Sequence, residues 1–207
     1  SYTSPGATSD KTVPHGLSQA PDMVIIKNLD STFNWDVWGP DLQSGYDLRL
    51  NTDDAETASR WSTTDPSASL ITLKDTYEVN GTDDYIAYCF HSVEGYSKVG
   101  SYTGNGNADG PFIYTGFRPA YVMLKSSSVA TTDWHTEDNK RDPYNPSHHD
   151  LRPNTSDAEY VSTAYRSIDF ISNGFKPRVS SGDLNSSGGT YIYLAFAESP
   201  FKTSNAR

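Results

Sequence analysis

Apolar positions along this chain fall into short runs, and the runs differ in period. Met23-Val24-Ile25-Ile26 does not alternate and stops at Lys27; Tyr121-Val122-Met123-Leu124 likewise stops at Lys125. Unbroken runs of that length predict short strands buried on both faces. Asn34-Trp35-Asp36-Val37-Trp38 alternates polar and apolar, as a half-buried strand does. Thr132-Asp133-Trp134-His135-Thr136 does so more weakly. Ser69-Leu70-Ile71-Thr72-Leu73 and Ser167-Ile168-Asp169-Phe170-Ile171 predict a further, corresponding pair of strands. Asn173-Gly174-Phe175 predicts a tight hairpin turn. Both series close on an aromatic strand, Tyr85–Phe90 in one and Tyr191–Phe196 in the other.

The pattern is written twice. Asp47-Leu48-Arg49-Leu50-Asn51-Thr52-Asp53-Asp54-Ala55-Glu56 and Asp150-Leu151-Arg152-Pro153-Asn154-Thr155-Ser156-Asp157-Ala158-Glu159 agree at eight of ten positions without a gap. Internal repetition of this kind sets the architecture before any motif does. Pro21 maps to Pro119, Trp35 to Trp134, Asp47 to Asp150 and Tyr85 to Tyr191. The slow drift in register falls in loops, where insertions cost little. The joint is placed around Glu94-Gly95-Tyr96-Ser97, giving a first β-repeat over residues 1–97 and a second over 98–207. The expected fold is all-β with little helix: two tandem, homologous β-sandwich-like halves packed together, or one larger sandwich assembled from both. The Asp-Ala-Glu pieces are expected to form a single helical turn, with Asn51-Thr52 and Asn154-Thr155 as N-caps.

Composition agrees with this. The chain has 207 residues, with Tyr 14, Phe 8 and Trp 4, and its turns are rich in Gly, Ser, Asn and Asp. The net charge of -10 disfavours nucleic acid and anionic membrane as partners. Cys89 is alone, which excludes an internal disulfide, and it sits in an apolar run as a small core residue. No apolar stretch is long enough for a membrane helix. The chain begins at Ser1, as expected of a processed end or a piece cut from a longer polypeptide.

Candidate chemistry is sparse. His148-His149-Asp150, with Asp142 and Asp138 nearby, is the most metal-like cluster. The first repeat has Gly45-Tyr46-Asp47 there, and adjacent strand residues point to opposite faces, so no metal site is expected. His135, Glu137 and Asp138, or Asp36 and Asp41, offer carboxylates for acid/base work on a glycosidic bond, but nothing in the sequence fixes their separation. Asp53-Asp54 and Asp83-Asp84 lack the spacing of a calcium loop and suit turns. No nucleophile elbow or phosphate loop is present. No catalytic residue and no cofactor is assigned. Trp35 and Trp134, being equivalent, are expected to anchor each core. Trp38, Trp61, Tyr144 and Tyr160 lie in polar surroundings and are the candidate ligand-binding aromatics, as platforms for a sugar face.

Tyr102-Thr103-Gly104-Asn105-Gly106, Gly116-Phe117-Arg118-Pro119, Ala158-Glu159, Ser172-Asn173-Gly174-Phe175-Lys176 and the ending Phe196-Ala197-Glu198-Ser199-Pro200-Phe201-Lys202 carry a resemblance. Together they resemble a repeated C-terminal β-module of structural proteins of tailed bacteriophages, marine ones especially, often found beside concanavalin-like domains. The resemblance covers essentially the whole chain. It implies a non-enzymatic virion module, in a tail fibre or other surface appendage, that contacts host surface glycans. It also implies a virion-surface or extracellular location, with further copies of the chain (a homotrimer) and other virion proteins as partners. A capsid-decorating domain and a surface-polysaccharide depolymerase are the alternatives.

Overall fold

A computed structural model of the chain describes residues 1–4, 6, 8–58 and 60–200. The chain divides into two compact units, Ser1–His91 and Ser92–Arg207. The division falls just ahead of the expected joint. Val93 and Ser97 exchange backbone hydrogen bonds of 3.0 Å, so Glu94-Gly95-Tyr96 is the turn that feeds the first strand of the second unit. Among the described residues, no helix is long and apolar enough to cross a membrane.

The first unit contains β1 (Tyr2–Thr3), β2 (Lys11–Pro14), β3 (Met23–Asn28), β4 (Trp35–Trp38), β5 (Tyr46–Arg49), β6 (Thr57–Ala58), β7 (Leu70–Leu73), a one-turn helix α1 (Tyr77–Asn80) and β8 (Asp84–Phe90). Its main antiparallel sheet has the order β1-β8-β3-β4-β5-β6, and β2 pairs with β7 in a second, small sheet. Val24, Ile26 and Tyr85 of the main sheet meet Ile71, Leu73, Val79 and Trp61 in one core. Alternate residues of β3 form that core, while Met23 and Ile25, on the opposite face, are buried as well. The unbroken apolar run is therefore a strand buried on both sides, as its sequence predicts.

The second unit repeats the plan with β9 (Ser97–Thr103), β10 (Ile113–Tyr114), β11 (Pro119–Ser126), β12 (His135–Asp138), β13 (His149–Asp150), β14 (Tyr160–Val161), β15 (Ile168–Ile171), β16 (Gly174–Pro177), α2 (Gly182–Asn185) and β17 (Thr190–Ala197). Its sheets are β12-β11-β17-β9, β10-β16-β15 and β13-β14. Backbone pairing between β12 and the β13 segment is reduced to the isolated bridge Thr136 to Leu151, where the first unit has the continuous pairing Asp36↔Arg49 and Val37↔Leu48. Val122, Leu124, Tyr193 and Ala195 close on Phe170, Phe175 and Leu184 to make the core.

Pairing corrects one expected correspondence. β7 pairs with β2 and runs into α1, just as β16 pairs with β10 and runs into α2. The counterpart of Leu70–Leu73 is thus Gly174–Pro177, and Ile168–Ile171 is the added outer strand of a hairpin whose turn is Ser172-Asn173. Gly174 permits the close pairing: a Cβ there would lie 2.0 Å from the Ile113 carbonyl oxygen.

A tyrosine pair fastens each short helix to its sheet. Tyr2 stacks on Tyr85 at 5.0 Å and donates to the Val79 carbonyl at 2.7 Å. Tyr85 donates to the Tyr77 carbonyl at 2.8 Å and accepts from the Gly81 N–H at 2.7 Å. In the second unit Tyr102 stacks on Tyr191 at 4.9 Å and donates to the Leu184 carbonyl. Tyr191 donates to the Gly182 carbonyl and accepts from the Ser186 N–H. Neither helix has a side-chain N-cap bond, so these hydroxyls meet backbone groups that a one-turn helix leaves open.

Candidate functional site

The twin decapeptides are not helical turns. Residues 53–56 and 157–159 have no helical structure, and both helices of the described residues lie elsewhere. The shared asparagine instead holds the tryptophan strand. Asn51 Oδ1 accepts the Trp35 N–H and Asn154 Oδ1 accepts the Trp134 N–H, each at 2.9 Å. The shared arginine clamps the following acid, Arg49 to Asp54 at 3.3 Å and Arg152 to Asp157 at 2.9 Å. The first aspartate, Asp47 or Asp150, is fully buried. The motif is a structural latch that ties the loop after β5 or β13 to the tryptophan that opens β4 (Trp35) or directly precedes β12 (Trp134).

Around that buried aspartate the two units differ. In the first, Asp36 stands on the same face as Asp47 and is also fully buried. Burial, and then the Asp47 charge, lift the Asp36 carboxyl to about 8. Burial lifts Asp47 to about 6 against the pull of Arg60 and Arg49. Arg60 pairs with Glu78 of α1 at 3.5 Å. In the second unit the register puts His135 where Asp36 stood, since Ile26↔Asp36 matches Leu124↔His135. His135 Nδ1 lies 3.1 Å from Asp150 Oδ2, and Arg166 bridges Asp150 at 3.5 Å to Asp183 of α2 at 3.2 Å. Glu137 takes the place of Trp38, and burial first of all holds its carboxyl well above the usual range.

The four aromatics singled out from the sequence separate into different roles. Trp61 is only 1 % exposed, which corrects its expected surface use; it stacks against Trp38 at 6.0 Å as part of the first core. Trp38 is half-buried against that core. The polar neighbours that suggested a surface position are loop residues, and the indoles turn the other way. Tyr160 is half-buried beneath two guanidiniums, Arg166 at 4.6 Å and Arg152 at 5.5 Å from its ring centroid, so its face is already covered. Tyr144 is 80 % exposed, as expected. Of the two equivalent tryptophans, Trp134 is fully buried, whereas Trp35 is half-buried and stacks on the exposed Tyr88 at 6.4 Å. Cys89 packs half-buried at the edge of the first core. In the ending that carries the family resemblance, Phe201 and Lys202 lie outside the described residues.

Two surface features remain, the first not singled out by sequence and the second named there as the most metal-like cluster. The first is a cleft of about 380 Å³ in the second unit, bounded by Glu94, Lys98, Ser92, Tyr114 and Gly116. Tyr114 is 63 % exposed and meets Phe112 edge-on at 6.4 Å. Gly116, at φ +86°, takes the left-handed turn beside the Tyr114 hydroxyl that a side chain would strain. The signal was present in Phe112-Ile113-Tyr114: Ile113 faces the core, so the extended residues on either side of it face out.

The second feature is the histidine pair. His148 lies in irregular chain between the Ser147 bridge and β13, so strand alternation does not apply to it. The His148 and His149 rings stand 5.3 Å apart, contrary to the expectation that they diverge. Asp142 Oδ2 accepts the His148 N–H at 3.1 Å and lies 3.2 Å from His148 Nδ1. One ring nitrogen from each histidine and one Asp142 oxygen all lie within 4.8 Å of one another. Arg141 occupies the neighbouring carboxylates, Asp138 at 2.6 Å and Glu159 at 3.1 Å.

No curated protein and no solved structure matches this chain. A family model described as a domain of unknown function (DUF7483) matches residues 1–200, nearly the full length, and the chain belongs to that family.

Proposed function

We propose that this chain is a non-enzymatic structural and adhesion module of a tailed-phage virion, carried on a tail fibre or other surface appendage, and that it contacts host surface glycan. The observation that carries the adhesion reading is the Tyr114 cleft. It combines an exposed aromatic face with Glu94 and Lys98 as hydrogen-bonding groups at its rim. Apolar C–H faces of a sugar stack on such a ring while its hydroxyls bond the rim. Contacts of this size are weak singly. Assembly with further copies of the chain, as homotrimers, supplies the multivalency they need. The non-enzymatic part rests on burial: Asp36, Asp47 and Glu137, the carboxyls with raised pKa, are shut away from any polymer.

Binding to an array of bacterial surface glycans tests the adhesion reading, with native protein and Tyr114→Ala run in parallel. Retention of a glycan class by the native chain and its loss in Tyr114→Ala is the expected result. Equal retention by both proteins, or none by either, would sink the cleft as a receptor site. Immunogold labelling of particles with antibody to the chain tests the location. Label on tail appendages is expected; label over the shell would replace the tail reading with capsid decoration, and bare particles would remove the virion setting.

A further inference from the structure

We propose that Asp142, His148 and His149 form a three-ligand site for a divalent first-row transition ion of the zinc class. This does not depend on the adhesion reading. Two imidazoles and one carboxylate make a donor set that such ions favour over magnesium or calcium, which take oxygen ligands. Donors about 2.0–2.1 Å from a tetrahedral ion stand about 3.3 Å apart. The three donor atoms lie within 4.8 Å of one another, so ligation takes a contraction of about 1.5 Å, and the 2.9 Å contact of His148 Nδ1 with the Pro146 carbonyl is either given up or leaves Nε2 to the ion.

The surroundings favour binding in three ways. Glu159 Oε2 lies 3.1 Å from His149 Nδ1, the carboxylate–histidine arrangement that orients a ligating imidazole and leaves its other nitrogen with a free lone pair. Arg141 pairs with Asp138 and with the other oxygen of Glu159, and Asp142 stays on the His148 side, its Oδ2 accepting the His148 N–H. The two rings are about 30 % exposed, so an ion has a path in and a position stays open for water or for a side chain of another molecule. The first repeat has Gly45 and Tyr46 at these places, so the site is particular to the second unit.

The test is titration of the chain 1–207, stripped with chelator, with Zn²⁺ against a chromophoric competitor and with Co²⁺ followed by its visible absorption. One equivalent bound at micromolar or better affinity is expected, with an absorption band from a low-symmetry cobalt site. His149→Ala and Asp142→Asn should each weaken binding by about 100-fold, and Glu159→Gln, acting through His149, by about 10-fold. His15→Ala, in the first unit, should bind as the native chain does. Melting of each variant in chelator separates lost ligation from lost folding, and His148→Gln replaces any variant that fails to fold. No uptake by the native chain, or unchanged affinity in His149→Ala and Asp142→Asn, would overturn the site.

Discussion

The two units bury the same aspartate at the same point of the repeat, on β5 in one and on β13 in the other, and give it different company. Asp47 faces a second carboxylate, Asp36, which burial and like charge push up to about 8. Asp150 faces His135, whose Nδ1 lies 3.1 Å from Asp150 Oδ2. Both units set an arginine near the buried aspartate and tie it to an acid in the one-turn helix: Arg60, whose charge pulls the Asp47 carboxyl down, to Glu78, and Arg166, which also pairs with Asp150, to Asp183. The frame is therefore fixed by backbone pairing and the arginine tie, while the residue beside the aspartate is free to differ. The same contrast holds one pair further along β4 and β12. Trp38 packs on Trp61 in the first unit, and Glu137 sits among polar groups in the second. Duplication has kept the scaffold in both units and leaves polar chemistry concentrated in the second.

The largest expected effect tests the anchors. Trp134→Ala should cost about 3–5 kcal/mol, because it empties a fully buried site. Trp35→Ala, on a half-buried ring, should cost less than half of that; equal losses in urea unfolding would show that the equivalent tryptophans are energetically equivalent after all.

Next comes the carboxylate pair. Its folded pKa values, about 8 and about 6, lie above the unfolded carboxylate value of 3.8. The folded state therefore binds more protons. The pair's contribution to stability is fully present below about pH 4 and is lost as pH rises toward 8. Asp36→Asn removes the larger, Asp36 share of that loss, so it should stabilise the protein at pH 8 by an amount on the order of 3 kcal/mol and flatten its pH profile above about pH 6. A native stability that rises between pH 5 and 8 would contradict the buried pair.

A smaller effect is expected at the tyrosine fasteners. Tyr85→Phe and Tyr191→Phe each leave a helix carbonyl and a backbone N–H without their hydroxyl partner, at a cost of about 1–3 kcal/mol. The two losses should agree closely, since the geometries do; a large difference in melting would break the structural equivalence. Least affected should be Tyr144→Ala, which changes stability by less than about 0.5 kcal/mol because the ring is 80 % exposed.

The sequence by itself determined the class of the fold. Two-sided burial of Met23–Ile26 and Val122–Leu124 follows from apolar runs too short for helices, and the repetition of Asp-Leu-Arg with Asn and Asp-Ala-Glu marks two copies of one plan. Those signals are local and periodic, and period survives folding. What only the tertiary structure decided was partnership. β7 matches β16 rather than β15 because pairing with β2 or β10 is long-range, and nothing local marks it. Trp61 is core although its neighbours are polar, because a loop residue turns inward when a distant indole, Trp38, offers it a face. His148 and His149 converge because His148 falls outside β13, and where strand pairing stops is set by the partner strand, not by the dipeptide. Sequence carries the period of each element; the meeting of side chains far apart in the chain depends on closure of the sheet, which only the folded structure supplies.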